Sequence, residues 1–259
     1  EDDMTTPTVL TVGSLHYDVI VETDHLPRRD ETAVGRRWYP KFGGKGGNQA
    51  VAVARAGVQS RMAGAVGADD FGRFLRDRLR AGGVDDSHVT TVPGTGSGMS
   101  VAIMDAAGDY AATIVSGANL HLDPASLAQD ALWQSVGMLV LQNEIPPEVN
   151  LAASLQARVR GVRVLLNAAP ARSLPPELVS LTDILVVNAV EAEMMGSGPV
   201  RSLPDAAAAA RHLARQFPCV IVTAGAIGLA GVAPDAQVFS LPAEKVNVIS
   251  SHGAGDAFV

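Results

Sequence analysis

Near the end of the chain stands the sequence Gly253-Ala254-Gly255-Asp256. A small-residue turn that opens a helix leaves several backbone N–H groups unpaired and pointing outward. Such groups suit the oxygens of a transferring phosphoryl group. An Asp directly after them is placed to take a proton from an attacking hydroxyl. The same four residues also fit a plain helix N-terminus whose acidic side chain complements the dipole.

A second glycine cluster, Gly43-Gly44-Lys45-Gly46-Gly47-Asn48, lies between a predicted strand and a helix predicted over 48–56. It is not a Walker A loop, because the spacing differs and neither Ser nor Thr follows the lysine. It is not a dinucleotide fingerprint either, because Gln49 stands where the next glycine is expected. The glycines allow the backbone to approach a polyhydroxy ligand closely. Lys45 adds positive charge, and Asn48 can both donate and accept hydrogen bonds, as a sugar diol requires.

The elements that must position these residues follow from periodicity. Strands are predicted over 9–12, 61–66, 138–141, 162–166, 184–187 and 220–223, and helices over 48–56, 70–81, 147–158, 189–195 and 205–216. Repeated β-then-α units imply a mainly parallel sheet covered on both faces. A hairpin predicted from 100–104 and 111–115, together with the stretch 19–38, stands outside that winding and suggests a small second sheet. Ligands of such folds gather at the carboxyl ends of the strands. The polar residues there are Asp18, Gln142, Asn143, Glu144, Asn167, Asn188 and Glu191. A binding cleft and ordinary loop polarity both account for them.

The bulk properties narrow the function class. A chain of 259 residues can bury a large core, as one α/β unit or two small domains. Net charge is −7 and no basic stripe is interleaved with aromatics, which excludes nucleic acid as an expected partner. The single cysteine, Cys219, lies in an apolar run and reads as a small buried hydrophobe. One cysteine permits no internal disulfide, in keeping with a reducing, cytoplasmic compartment. No run of 18 apolar residues predicts a membrane span, and the acidic N-terminus lacks secretory character. The histidines have no metal-ligand spacing, so no structural zinc is expected. Met194 and Met195 read as core residues.

The two glycine clusters resemble the two signatures of the ribokinase family of carbohydrate kinases (PfkB-type). Residues Gly43 to Ala50 carry the first and Gly253 to Asp256 the second. Val12-Gly13-Ser14 with Asp18 is similar to the family's opening strand and sugar-binding Asp. Gly117-Ala118-Asn119 and Leu166-Asn167-Ala168-Ala169-Pro170-Ala171 resemble ribokinase segments, Asn188 and Glu191 the Asn-x-x-Glu motif, and Thr223-Ala224-Gly225 a nucleotide-side turn.

The resemblance implies an α/β fold. Its mainly parallel, doubly wound sheet carries helices on both faces and a small β-sheet lid. One ribokinase-like domain is expected over 5–259, with lid strands inserted at about 15–42 and 95–116 and the family's further C-terminal helices falling after 259. The implied activity is ATP- and Mg²⁺-dependent phosphorylation of a sugar hydroxyl, foremost D-ribose to D-ribose 5-phosphate. A nucleoside or other carbohydrate kinase, or a catalytically weakened sugar-binding regulator, are the alternatives. By the same resemblance Asp256 is the base and Gly253, Ala254 and Gly255 form the anion hole. Asp18, His16, Gly44, Lys45, Asn48 and Glu144 hold the sugar. Asn188, Thr223 and Gly225 serve the nucleotide, and Glu191 serves Mg²⁺ through water. Trp38 and Tyr39 belong to a lid through which the chain would form a homodimer.

Three departures from the family pattern carry expectations. Ser250 stands where the family has an Asp that ligates a monovalent cation, which implies weak or absent potassium activation. His16 replaces the usual Asn two residues before Asp18, which implies an altered sugar pocket. A helix begun at Gly253 has too few residues to be stable by itself.

Overall fold

Alternation along the strands divides the chain between two sheets. The computed structural model describes residues 7–247 and 253–259. Its elements begin with β1 (Thr8–Val12), β2 (His16–Thr23), β3 (Gly35–Gly43), α1 (Lys45–Arg55), β4 (Gln59–Gly67) and α2 (Asp70–Ala81). They continue with β5 (Val84–Val92), β6 (Met99–Met104), β7 (Tyr110–Val115), β8 (Val136–Gln142), α3 (Pro147–Val159), β9 (Arg163–Asn167), α4 (Pro176–Leu181) and β10 (Ile184–Asn188). They close with α5 (Ala189–Met194), α6 (Leu203–Leu213), β11 (Cys219–Thr223), β12 (Gly228–Val232), β13 (Val238–Pro242) and α7 (Ala254–Phe258).

The main sheet has nine strands in the order β13-β12-β11-β10-β9-β8-β1-β4-β5. From β11 to β5 every pairing is parallel, whereas β12 and β13 add antiparallel at one end. Successive side chains of its central strands feed opposite faces. Leu139, Leu141, Val164, Leu166, Leu185 and Val187 join the large core, while Val140, Leu165 and Val186 form a cluster on the other side. Apolar residues on both faces are what a parallel sheet wrapped by helices requires. The doubly wound fold expected from the sequence is therefore the one formed.

The second sheet has four strands in the order β3-β2-β6-β7. The hairpin predicted around Ala107-Gly108-Asp109 is present as β6 and β7, closed where Asp105 N donates to Asp109 O. This small sheet is tied to the large one at its base by Asn119. The Asn119 Oδ1 accepts from Leu15 N at 2.9 Å, and its Nδ2 donates to Leu15 O and Ser116 O. The entry to β2 and the exit from β7 are thus held by one buried amide. Asp69 supplies a second tie. It caps α2 by accepting from Gly72 N, and it accepts from both N and Oγ of Ser97, just ahead of β6.

Several expectations are corrected. Helix α1 begins at Lys45 rather than Asn48, because the N–H groups of its first turn find partners on other segments. Lys45 N donates to Glu144, and Gly47 N donates to Ser14 O. Strands β5, β12 and β13 and helix α4 escaped the sequence reading; β5 reads Val-Asp-Asp-Ser-His, a polar edge without clear alternation. Met194 is exposed, and only Met195 packs against the core. Cys219 is half-buried rather than buried, and that burial pushes its thiol pKa up. The five residues of α7 do form a helix, held by its packing on α1 rather than by propensity. Among the described residues, no helix is long and apolar enough to cross a membrane.

Candidate active site

Packing of the loop between β1 and β2 onto the start of α1 brings together the residues expected to hold the sugar. Gly44 adopts φ +87°, and a Cβ there would strike the backbone of Ser14, Leu15 and His16, so only glycine fits. Antiparallel pairing sets His16 opposite Gly43 and Asp18 opposite Lys41. The absence of a side chain on Gly43 makes room for Asp18, whose Oδ2 fills the place a Cβ would take. Asp18 is buried, and its Oδ1 accepts from Ser100 Oγ of β6 at 2.5 Å.

Glu144, beyond the end of β8, reaches the same place. Its Oε2 accepts from Ser14 Oγ at 2.5 Å and from Lys45 N at 2.9 Å, with His16 Nδ1 at 3.8 Å. His16 is 4% exposed, and its Nε2 is buried with no hydrogen-bond partner. It is therefore a buried strand residue and not a surface loop histidine.

Asp256 joins this group through α1. It lies in the first turn of α7, is buried, and accepts from Asn48 Nδ2 at 2.9 Å and Gln49 Nε2 at 3.1 Å. Gly253 precedes it with φ +76°, where glycine carries no steric penalty.

On the other side of Asp256 is a cavity of about 230 Å³. Lys45, Asn188, Glu191, Thr223, Gly253 and Gly255 help to line it. Asn188 ends β10 and caps α5, donating its N–H to Glu191 Oε2 and accepting from Glu191 N through Oδ1, both at 2.8 Å. Burial raises the Glu191 pKa and the nearby Asp256 charge adds to the rise, opposed by the Asn188 N–H and by Lys45. Thr223 ends β11, alongside Asn188 in register. A larger groove of about 920 Å³ runs along α1 and α2, but it touches neither Glu144, Glu191 nor Thr223.

The structure thus gathers Asp18, His16, Gly44, Asn48 and Glu144 on one side of Asp256 and Asn188, Glu191 and Thr223 on the other, with Lys45 reaching both: its N–H donates to Glu144 and it lines the cavity. Gly225 opens a short 3₁₀ turn past Thr223 and does not line the cavity. Ser250 lies outside the described residues, as do Ser251 and His252. Sequence reasoning missed Ser14, Ser100 and Gln49 as partners of the acidic residues. Ser14 had a signal, since it closes the Val12-Gly13-Ser14 strand end; Gln49 stood out only as the residue breaking a glycine spacing. Chemically, a buried carboxylate that shares a cavity with a lysine fits proton removal coupled to anion transfer.

Comparison with known proteins identifies the family and the fold. Residues 6–259 match the pfkB family carbohydrate kinase profile. The chain is 33% identical to the ribokinase of Mus musculus over 256 residues, which cover 97% of this chain and 79% of that protein. It is also 33% identical to the deoxyribokinase of Salmonella typhi, covering 97% and 83%. The structure of Arabidopsis thaliana ribokinase complexed with ribose and ATP superposes with a TM-score of 0.89 at 26% identity, covering 98% of this chain and 84% of that one. With both signatures in place on a ribokinase-like sheet, the chain belongs to the pfkB family of carbohydrate kinases.

Proposed function

We propose that this kinase transfers the γ-phosphoryl group of ATP to the primary hydroxyl of D-ribose, giving D-ribose 5-phosphate and ADP. The observation that carries the reading is the position of Asp256, which hydrogen-bonds Asn48 of the sugar side and lines the cavity of Asn188, Glu191 and Thr223. The Asp256 carboxylate takes the hydroxyl proton as the hydroxyl oxygen bonds to the γ-phosphorus. The bond from that phosphorus to its bridging oxygen breaks, and the electron pair leaves with ADP. The N–H groups of Gly253, Ala254 and Gly255 face the charge that develops on the transferring oxygens. Asp18, His16, Gly44, Lys45, Asn48 and Glu144 hold the sugar, while Asn188, Thr223 and Gly225 serve the nucleotide.

The donor set fits Mg²⁺. Glu191 and Asp256 repel each other across one cavity, which a cation would relieve. Among the described residues no cluster of three or more His, Cys, Asp or Glu side chains could cage a metal, so phosphate oxygens and water would complete the shell. Glu191 would hold the ion through water, and the ion would offset charge on the phosphates. Ser250, in place of an Asp ligand, supports weak or absent potassium activation. The exposed apolar side chains of the small sheet, Trp38, Tyr110 and Ile114, support a homodimer through that lid. A single cysteine, which permits no internal disulfide, supports a cytoplasmic site.

A second reading, 2-deoxyribose as acceptor, is favoured by the equal identity to a deoxyribokinase. The test is ADP release with ribose, 2-deoxyribose and a panel of nucleosides, with and without Mg²⁺, in sodium and in potassium. A higher kcat/KM for ribose supports the first reading, and a higher value for 2-deoxyribose replaces it with the second. Turnover on nucleosides alone, or sugar binding without ADP release, overturns both.

A further inference from the structure

We propose that Gln49 is a positioning residue for phosphoryl transfer, acting through a buried chain of side-chain amides that fixes the Asp256 carboxylate. The inference rests on Asp256 being the base and extends that reading to a residue outside the sugar and nucleotide sites.

Three amides interlock behind Asp256. Gln142 Nε2 donates to Gln49 Oε1 at 2.6 Å. Gln49 Nε2 donates to Asn167 Oδ1 and to Asp256 Oδ1, each at 3.1 Å. Asn167 Nδ2 donates to the carbonyl of Val186 at 3.1 Å. All three side chains are buried, Gln49 at 1% exposure and Gln142 at 0%.

This chain of bonds can run only one way. The Val186 carbonyl lies on β10 and only accepts, so Asn167 must turn its nitrogen there and its oxygen toward Gln49. Gln49 must then present its nitrogen to Asn167, which leaves its second N–H for Asp256 and its oxygen for Gln142. Gln142 in turn presents its nitrogen to Gln49, and its own Oε1 is left buried against Gly13 with no partner. Turning Gln142 over would set oxygen against oxygen at Gln49. An unpaired buried oxygen is therefore tolerated in exchange for a fixed donor at Asp256.

The geometry gives that donor a task. Asn48 and Gln49 are adjacent on α1, and neighbouring helix residues point about 100° apart. They grip one carboxylate from two directions, Asn48 at Oδ2 and Gln49 at Oδ1. Asn48 is half-buried on the sugar side, where a ligand competes for its amide. Gln49 is sealed off from that side, so its bond holds the carboxylate plane whether or not sugar is bound. With α7 only five residues long, this contact also fixes where the base stands.

The test is steady-state kinetics of Gln49→Met, which keeps the side-chain length and removes both amide groups, alone and combined with Asp256→Asn. The single variant is expected to lose kcat by about 10- to 100-fold, with KM for sugar and for ATP within about twofold of wild type. In the Asp256→Asn background, the same change is expected to leave the residual turnover within about twofold, because its effect passes through the carboxylate. Wild-type kcat in Gln49→Met, a KM rise that accounts for the loss, or an equal fall in both backgrounds would overturn the proposal. Should Gln49→Met fail to fold, Gln142→Leu removes the donor that orients Gln49 and leaves Gln49 itself in place. The same kcat-only loss, of about threefold or more, is expected there, and an unchanged kcat overturns the proposal. Failure of the base assignment is distinguished by Asp256→Asn alone, which would then turn over like wild type.

Discussion

Asn48 and Asp256 are 208 positions apart in the chain and share a hydrogen bond of 2.9 Å. That bond joins the two glycine signatures into one site. Helix α1 carries Asn48 because its first turn is anchored on Ser14 and Glu144, and α7 carries Asp256 onto it. The residues proposed to hold the sugar and those that line the cavity of Asn188 and Glu191 meet at a single carboxylate.

Replacing that carboxylate separates binding from turnover. Asp256→Asn keeps the volume and one accepting oxygen, so folding and sugar affinity are expected to stay near wild type. Loss of the proton acceptor is expected to lower kcat by at least about 100-fold. Coupled ADP assays and sugar binding by calorimetry check the two halves. Turnover like that of wild type would falsify the assignment of Asp256 as base.

A change at Gly43 acts on the sugar side alone. A methyl group there would occupy the space of Asp18 Oδ2 and displace the buried carboxylate from its bond with Ser100. Gly43→Ala is expected to cost about 1–3 kcal/mol of sugar binding through this overpacking. That corresponds to a KM for sugar about 5- to 150-fold higher, with KM for ATP unchanged. A sugar KM within twofold of wild type would remove Asp18 from the pocket.

Asp69 gives a stability prediction with a defined pH sign. Burial pushes its pKa up, but the bonds from Ser97 Oγ, Ser97 N and Gly72 N outweigh burial and hold the carboxyl below its ordinary value of 3.8. A depressed carboxylate contributes stability above the unfolded-state value and loses it as pH falls through the folded-state value. Asp69→Ala, which also removes the cap of α2, is expected to cost about 1–2 kcal/mol at pH 7. The deficit should shrink below about pH 3.8. Urea unfolding of both proteins across pH 3–7 measures it, and a deficit that stays constant would contradict the ionic origin.

The fold was legible in the sequence wherever local pattern carried it. The apolar run 184–187 of β10 and the amphipathic α2 announce themselves, since burial on two faces or on one stripe leaves a period. What stayed hidden depends on contacts between distant segments. Helix α1 starts three residues early because Ser14 and Glu144 satisfy its N–H groups, and neither is local. Strands β12 and β13 pair antiparallel at the sheet end, behind glycine and polar residues that show no alternation. In the site, charged and glycine residues were visible by type. The amide and hydroxyl of Gln49 and Ser100 that orient them were not, because nothing in their own neighbourhood marks a polar residue as buried.

Glu191 yields the opposite pH sign. Burial raises its pKa, the Asp256 charge adds to the rise, and Lys45 with the Asn188 N–H opposes it. A raised folded-state value means a contribution that is fully present below the unfolded-state value, about 4.5, and is lost as pH rises through the folded-state one. Glu191→Gln removes the unfavourable charge while its amide oxygen can still accept from Asn188 N. Because the side chain is partly open to solvent, screening keeps the effect small. Without nucleotide or metal, the variant is expected to melt about 2 °C higher than wild type at pH 8. The gap should close toward pH 4.5. Turnover should fall in the same variant, since the carboxylate that weakens the empty protein is the one proposed to hold Mg²⁺ through water. Calorimetric melts at the two pH values, paired with ADP assays, test both halves; a variant less stable at pH 8 than at pH 4.5, relative to wild type, reverses the sign and removes the Glu191–Asp256 repulsion from the account.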